Sequence, residues 1–239
     1  MSQALVLSNL SYRVANLQVL RDLDLAIDER QYYAIAGVNG AGKSTLIRLV
    51  LDLIRPQSGS QIRIFGLDNT DPGCRDALVY LPEKFDVRKT VSGWQYVEFV
   101  AAVYGRAIDR KRVRELAERL DFPPDRLASR VASYSKGMVQ KLGLLSCFML
   151  ERRLVILDEP LSGLDPRARY HFKELMQSLR ERDHTVLYST HLLSDAEELC
   201  DRFGILHDAE MKYQGTPSDC MQRYATDSLE KAYMACISD

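Results

Sequence analysis

Residues 154–165, which read LVILDEPLSGLD, constrain the fold of this chain more than any other segment. Four apolar residues end in two adjacent carboxylates, Asp158 and Glu159, and Pro160 and a polar turn follow. A short apolar run bounded by turn signals is typical of a buried strand in a parallel sheet, and ligands of open α/β sheets bind at the carboxyl ends of such strands. Because two carboxylates there repel each other, we expect one to hold a metal ion and the other to take part in chemistry. Taken alone, the run is equally compatible with a surface turn after a core strand.

A phosphate-binding pattern lies upstream. Residues 37–44, which read GVNGAGKS, fit G-x-x-x-x-G-K-[ST] and follow a strand-like segment, residues 31–36. We expect the apolar face of the next helix to contain Leu46, Leu49, Val50 and Leu53. Glycines let backbone N–H groups close around phosphate oxygens, and the helix N-terminus adds positive potential. The residues predicted to bind the phosphates are Gly37, Asn39, Gly40, Ala41, Gly42, Lys43, Ser44 and Thr45.

Two of these side chains have specific predicted roles. Lys43 is expected to reach the β- and γ-phosphates, and the Ser44 hydroxyl is expected to ligate Mg²⁺. A glycine-rich turn with a solvated lysine is the competing interpretation, and the strand, the helix and the later Asp158 argue against it. The sequence therefore predicts that the chain binds a nucleoside triphosphate.

A third segment, residues 133–141 (SYSKGMVQK), indicates which class of nucleoside triphosphate-binding protein this is. Ser135 is placed to begin a helix, and Gly137 follows two residues later, so a hydroxyl and bare N–H groups are offered to an anion. By itself this is an ordinary helix cap. Its position between the phosphate-binding loop and the acidic strand resembles the signature motif of ABC-type ATPases.

The resemblance to the ATP-binding subunit of an ABC transporter extends over nearly the whole chain and implies roles for individual residues. Asp158 resembles the carboxylate that holds Mg²⁺, Glu159 the catalytic glutamate that polarises the attacking water, and His191 the switch histidine that senses the γ-phosphate. Tyr12 resembles the aromatic residue that stacks on adenine. Residues 162–165, which end in Asp165, match the D-loop that crosses between subunits, and Ser135 and Gly137 match γ-phosphate contacts. The implied cofactors are ATP and Mg²⁺.

Two positions depart from the family pattern. Glu83 takes the place of the usual Q-loop glutamine. Its carboxylate could still accept a hydrogen bond from a metal-bound water, but it adds negative charge beside the phosphates. Lys136 and Met138 stand where glycine and glutamine are commoner. The combination resembles the bacterial type II exporter branch of the family.

The resemblance also implies an oligomer and a fold. In the family the signature of one subunit covers ATP bound to the P-loop of a second, and this chain has one of each and no internal repeat. We therefore expect a head-to-tail homodimer around two ATP molecules. The expected fold is α/β: a P-loop core with a mostly parallel sheet, an antiparallel β subdomain on the N-terminal side and an inserted helical subdomain. Residues 1–85 and 151–239 are assigned to the RecA-like core and residues 86–150, approximately, to the helical subdomain.

Composition limits the partners. The chain has 32 basic and 33 acidic residues, so nucleic acid is not an expected partner. Its five cysteines lack paired C-x-x-C spacing, which argues against a structural zinc and favours reduced thiols in the cytosol. The N-terminus lacks a signal-peptide pattern. The apolar stretch 142–150 is too short to span a bilayer, which takes roughly 20 residues.

A transporter of this kind therefore needs a membrane permease on a separate chain. We expect this chain to lie in the cytoplasm, peripherally on the inner face of the membrane. The family's docking groove for the permease corresponds to residues 83–104, where Phe85 is the preferred interface residue and Trp94 and Phe99 are assigned to the core of the subdomain. The other candidates for the groove are Val87 and Tyr96.

Two other functions are weighed. One is a soluble ABC ATPase serving a cytosolic assembly, such as iron–sulfur cluster building. The other is a small-molecule kinase, which has no use for a signature, a D-loop or a switch histidine. Members that act on DNA or in translation are disfavoured, because long coiled-coil heptads and a second cassette are both missing from the sequence. The cargo cannot be read from the sequence.

Overall fold

The computed structural model describes residues 2–180 and 183–238. Ten strands lie within these residues: β1 Gln3–Val14, β2 Leu17–Asp28, β3 Tyr32–Ala36, β4 Gln61–Ile64, β5 Leu67–Asp68, β6 Leu78–Leu81, β7 Leu154–Leu157, β8 Thr185–Thr190, β9 Arg202–His207 and β10 Glu210–Gly215. The α-helices of the same residues are α1 Lys43–Val50, α2 Gly93–Val103, α3 Arg110–Arg119, α4 Lys136–Phe148, α5 Pro166–Leu179, α6 Leu193–Leu199, α7 Pro217–Arg223 and α8 Leu229–Ser238.

The central sheet has six strands in the order β10-β9-β3-β8-β7-β6. All neighbours pair in parallel except β10 and β9, which are antiparallel. Every residue of β3, β7 and β8 is buried, as expected for parallel strands that are covered on both faces. The predicted buried strand before Asp158 is therefore confirmed, and it lies inside a mostly parallel sheet.

A second sheet, in the order β2-β1-β4-β5, is antiparallel. Its strands alternate between buried and exposed residues, and β4 shows the simplest form of the pattern. The buried side chains share one apolar cluster with α1 and with one face of the central sheet. The predicted α/β fold with an antiparallel sheet on the N-terminal side is confirmed.

The prediction for the helix after the phosphate-binding loop needs one correction. Helix α1 ends at Val50, and Asp52 adopts a left-handed conformation with φ 54°. The chain therefore leaves the helix before Leu53, whose side chain is 62% exposed. Leu46, Leu49 and Val50 are buried as predicted.

The segment between β6 and β7 contains α2, α3 and α4 and short 3-10 helices. Each α-helix starts at a capping side chain: Ser92, Asp109 and Ser135 accept hydrogen bonds from backbone N–H groups of the first turn. The predicted break in the helical pattern at Pro123 and Pro124 is confirmed, and a short 3-10 helix, Pro124–Ala128, begins there. The helical insertion therefore lies where the sequence placed it, and its treatment as a separate subdomain stays a proposal.

Two aromatic residues of this segment are placed differently from the prediction. Phe99 was assigned to the core, yet its side chain is 63% exposed on α2. Phe85 was the preferred interface residue, yet it is only partly exposed and packs edge-to-face on Tyr96 with ring centroids 5.7 Å apart. A Cβ on Gly143 of α4 would lie 2.9 Å from the Phe85 ring, so the missing side chain at this glycine makes room for it. Val87, another groove candidate, is buried.

The C-terminal part follows the prediction closely. Thr216 caps α7, Pro217 is its first residue, and α8 forms the last packed helix. The five cysteines are all free thiols. In the ranges 2–180 and 183–238, none of the helices has the length and apolar character needed to cross a membrane.

Candidate nucleotide site

The phosphate-binding loop connects β3 to α1 and depends on two glycines. A Cβ on Gly37 would lie 2.5 Å from the carbonyl oxygen of Leu206, so only glycine fits against β9. Gly42 has φ 107° and forms the N-terminal cap of α1 without a side-chain hydrogen bond to the first turn. The N–H groups at this helix end are thus left without a side-chain acceptor from the cap, which is the arrangement that binds anions at helix N-termini.

An open cleft of about 340 Å³ lies over this loop, within the size range of small-molecule sites. The cleft is lined by Val19, Asn39, Gly40, Gly42, Lys43, Ser44, Thr45, Glu83 and Glu159. The structure therefore brings Glu83 and Glu159, which follow the carboxyl ends of the neighbouring parallel strands β6 and β7, to the predicted phosphate loop. Ala41 lies within the same loop, and its N–H donates to the carbonyl of Val38 at 3.1 Å.

Lys43 is buried at the base of the cleft with only 6% of its side chain exposed. Its Nζ donates to the carbonyl oxygens of Gly37 at 2.7 Å and Val38 at 3.2 Å. The same Nζ lies 3.1 Å from Oε1 of Glu159. The two atoms form an ion pair, but their geometry is not that of a hydrogen bond. The lysine charge is therefore held between two loop carbonyls and one carboxylate.

Glu159 is the meeting point of the predicted catalytic residues. Its Oε2 lies 2.7 Å from Nδ1 of His191, and its buried Oε1 has no hydrogen-bond partner among the described residues. Glu159 also adopts a left-handed conformation with φ 49° just past β7. A non-glycine residue in this conformation costs about 1–3 kcal/mol, so the surrounding contacts must hold it there. The structure thus joins Lys43, Glu159 and His191 into one contact chain.

Asp158 lies behind Glu159, and its side chain is 2% exposed. The hydroxyl of Ser189 donates to its Oδ1 at 2.6 Å and accepts the backbone N–H of Glu159 at 2.8 Å. Ser189 therefore holds both acidic residues from the neighbouring strand β8. No motif of the sequence assigns a role to this serine, although its position near the end of a strand that neighbours the acidic strand is a usable signal.

Tyr80, near the acidic residues of the cleft, has a raised pKa chiefly because it is buried. Burial raises the pKa of Tyr80 to about 12, and the negative charges of Asp158 and Glu83 act in the same direction. The phenol is therefore neutral at physiological pH and can donate a hydrogen bond.

The donor set fits a magnesium ion. Ser44, Asp158 and Glu83 are the predicted ligands, and hydroxyl and carboxylate oxygens are the donors that Mg²⁺ prefers. In the part of the chain that the structure describes, no group of three or more His, Cys, Asp or Glu could hold a metal ion alone. A magnesium ion needs only one or two carboxylates when substrate phosphates and waters supply the remaining ligands.

Eight predicted site residues are not among the residues that line this cleft. Gly37, Ala41, Asp158 and His191 directly adjoin lining residues. The other four are described next. Tyr12 is partly buried on β1, opposite Leu20, whereas Val19 of the neighbouring strand lines the cleft. The hydroxyl of Ser135 accepts the N–H of Met138 at 3.2 Å, and Asp165 caps α5 by accepting from Ala168 at 2.8 Å. The fourth residue, Gly137, is in the first turn of α4. The signature and D-loop residues are therefore not brought to the P-loop of their own chain.

The fold and this cleft define a P-loop nucleotide-binding protein. Residues 20–162, more than half of the chain, match the protein family described as ABC transporter. The ABC-type transporter ATP-binding protein EcsA of Bacillus subtilis (strain 168) is 35% identical over 210 residues, which cover 86% of this chain and 84% of EcsA. The chain belongs to the ABC transporter family of ATP-binding proteins.

Two further comparisons describe the similarity. The uncharacterized ABC transporter ATP-binding protein all4389 of Nostoc sp. (strain PCC 7120 / SAG 25.82 / UTEX 2576) is 32% identical over 200 residues, or 82% of this chain. The match spans 59% of the length of that relative. A solved structure described as the ATP binding subunit of an ABC transporter superposes with a TM-score of 0.89 at 32% identity, covering 98% of this chain and 99% of its own.

Proposed function

We propose that this protein hydrolyses ATP and thereby drives a separate membrane permease, with export as the direction. The observation that carries the hydrolysis proposal is the contact chain Lys43–Glu159–His191 at the edge of a P-loop cleft. A buried carboxylate held between a cation and an imidazole is suited to orient a water molecule for attack. The transporter names of the relatives favour this function over a soluble ATPase of iron–sulfur cluster building.

The chain's own residues have distinct proposed tasks. The backbone N–H groups at residues 40–45 bind the phosphates, and Lys43 donates to their β- and γ-oxygens. Ser44, Asp158 and Glu83 would hold Mg²⁺, which would supply neutralisation of the charge that develops on the phosphates.

The remaining groups position the nucleophile and the base. Oε1 of Glu159, which faces Lys43 but has no hydrogen-bond partner among the described residues, accepts a hydrogen bond from the attacking water. His191 fixes the orientation of that carboxylate through Oε2. Ser189, on the neighbouring strand β8, keeps both acidic residues in place through the hydrogen bonds of its hydroxyl. Phosphoryl transfer depends mainly on positioning and charge neutralisation, which are the two contributions these groups can make.

A second copy of the chain completes the site in this proposal. Ser135, Gly137 and Asp165 do not line the cleft of their own chain, although the family resemblance assigns them to ATP. A head-to-tail homodimer offers them to the ATP bound by the partner, and Tyr12 stacks on the adenine of its own chain. Because ATP contributes contacts that the free subunits lack, it shifts the equilibrium towards the dimer.

The permease is proposed to dock on a groove between the end of α1 and the end of α2, which places this subunit on the inner face of the membrane. The groove encloses about 570 Å³, and we define the docking groove by its lining residues Val50, Leu51, Asp52, Leu53, Asn69, Cys74, Arg75, Asp76, Leu78, Tyr80, Val103 and Tyr104. Leu53 and Val103 are 62% and 66% exposed, and Phe99 extends the apolar surface along α2. Apolar surface of this kind marks protein interaction sites.

Release of phosphate from ATP without an added acceptor tests the catalytic proposal. The wild-type protein should release phosphate, whereas Glu159→Gln should lose about 10²–10⁴-fold in rate, the usual contribution of a general base, and still bind a fluorescent ATP analogue. Glu174→Gln, on the exposed face of α5, is the matched control and should retain full activity. Undiminished hydrolysis by Glu159→Gln would exclude the proposed base, and dependence on an added acceptor would identify a kinase instead.

A further inference from the structure

Helix α4 is bonded to Pro160, two residues before the D-loop, residues 162–165, of the same chain. Nε2 of Gln140 donates to the carbonyl oxygen of Pro160 at 3.0 Å, and Gln140 is only 6% exposed. Pro160 directly follows Glu159, the residue that is held in a left-handed conformation. The middle of α4 therefore bonds to the main chain one residue beyond the proposed base.

A second link reaches the residues that follow the D-loop. Nζ of Lys141 donates to the carbonyl oxygen of Asp121 at 2.7 Å and to its Oδ2 at 3.0 Å, and the Lys141 side chain is 10% exposed. Arg167, the second residue of α5, donates to the other carboxylate oxygen of Asp121 at 2.9 Å. Asp121 thus connects α4 to the start of α5, two residues after Asp165.

The charge state of Asp121 supports this link. Burial acts to raise the pKa of Asp121, but the hydrogen bond and charge of Lys141, with further help from Arg167, outweigh burial and lower the pKa. The carboxylate is therefore ionised at neutral pH and can accept from both cations at once.

The middle of the D-loop lies along the first turn of α4. Gly163 has φ 78°, and a Cβ there would lie 3.2 Å from Cε of Lys136. A Cβ on Gly137 would lie 3.6 Å from the carbonyl oxygen of Gly163. The two glycines and the lysine stem leave little space between the helix and the loop.

We propose that Gln140, Lys141, Asp121 and Arg167, together called the D-loop clamp, make α4 and the D-loop move as one body. These four are positioning residues: they act through Pro160 and α5 on the D-loop and on Glu159. The kinetic part of the inference rests on the proposed ATP hydrolysis, in which α4 contacts one ATP and the D-loop borders the other. The clamp then couples the two ATP sites, since a shift of α4 at one site displaces the loop at the other.

Amide hydrogen exchange of the full-length protein tests the clamp independently of catalysis. Gln140→Met keeps the length of the side chain and removes the donor, so exchange of peptides covering residues 160–166 should accelerate about tenfold, as expected for one lost buried hydrogen bond. The matched control is Gln214→Met, because Gln214 donates to the carbonyl of Asp24 at 2.8 Å far along the chain from the D-loop. Its effect on residues 160–166 should be nil.

A variant at an exposed residue of the clamp keeps the test valid if Gln140→Met, which changes a buried residue, does not fold. Arg167→Gln changes a side chain that is 75% exposed and should accelerate exchange of the same peptides by several-fold, while Arg110→Gln, which breaks the exposed pair with Glu98, should not. In steady-state ATP hydrolysis, both clamp variants should lower kcat and the Hill coefficient while ATP binding to the isolated subunit stays unchanged.

The outcomes separate the two proposals. If the D-loop amides of both Gln140→Met and Arg167→Gln exchange at the wild-type rate, the clamp is overturned, whatever the ATPase activity of these variants. Accelerated exchange in both variants, combined with an absence of ATPase activity from the wild-type protein, supports the clamp and rejects the proposed function. Accelerated exchange with unchanged kcat and Hill coefficient rejects the coupling between ATP sites.

Discussion

At the scale of single residues, the proposed chemistry depends on how buried charges are balanced. Lys43 is the cation at the base of the cleft, and it faces Glu159 directly while Asp158 is stabilised by the hydroxyl of Ser189. Burying a carboxylate without a partner is costly, so each acidic residue has its own partner. Oε1 of Glu159 lies against Nζ of Lys43 but has no hydrogen-bond partner among the described residues, and we propose that the attacking water donates to it.

Ser189→Ala should weaken both the fold and the catalysis. It removes the donor to Asp158 and the acceptor for the Glu159 N–H, and each buried group left unpaired costs about 1–3 kcal/mol. We expect the free energy of unfolding, measured in urea, to fall by roughly that amount and kcat for ATP to fall by at least about tenfold.

Ser11→Ala is a matched control because Ser11 bonds in the same way to one residue elsewhere. Its hydroxyl donates to Oδ1 of Asp22 at 2.9 Å and accepts the Asp22 N–H at 2.8 Å. This variant should lose stability and keep its kcat. Equal losses of kcat in the two variants would mean that Ser189 acts only through stability.

The residue scale also shows what could be predicted from the sequence. The phosphate-loop glycines, Lys43 and the two carboxylates were predicted because their spacing along the chain is itself the signal. Ser189 and Gln140 were given no role because their partners, Asp158 and Pro160, are 31 and 20 residues away and meet them only through strand register and helix packing.

At the scale of elements, burial along helices was harder to predict than the helices themselves. Helix α2 was expected, but apolar residues lie on all of its faces. The periodicity of apolar residues therefore could not decide which of them faces solvent. Phe99 and Val103 are the exposed ones, and Phe85 is drawn inward because Gly143 makes room for its ring. The groove that we propose for docking therefore has a different composition from residues 83–104, the groove expected from the family resemblance, and both stay proposals.

Val103→Asp should uncouple the subunit from its permease without harming the cleft. Val103 is 66% exposed, so the carboxylate stays solvated in the free subunit, but it would be buried against an apolar partner. We expect ATPase activity of the isolated subunit to be unchanged and the yield of membrane protein co-purified from native membranes to fall by at least about tenfold, as a buried unpaired charge costs several kcal/mol.

Met234→Asp is the matched control for the groove. Met234 is 59% exposed on α8 and lies outside the docking groove, so its replacement should leave co-purification intact. Equal loss in both variants would reject the groove as a specific docking site, and recovery of wild-type protein without any membrane protein would reject the permease partner.

At the scale of the whole molecule, the central claim concerns an incomplete site. The P-loop, both carboxylates and His191 lie together at one edge of the central sheet, whereas Ser135 and Asp165 cap helices outside the cleft. The single-chain fold was predictable from strand and helix patterns, because these are local. The dimer rests on surfaces that one chain leaves open, and it stays a proposal.

The mass of Glu159→Gln in solution, measured by light scattering with and without Mg-ATP, tests this claim most directly. If ATP joins two chains, the mass should change from that of one chain, 27.2 kDa, to twice that value when ATP is bound, and should not change with ADP. The double variant Glu159→Gln with Ser135→Arg should bind ATP and stay monomeric, because the added bulk blocks the partner's nucleotide. A single-chain mass for Glu159→Gln at ATP concentrations that saturate binding would contradict the account.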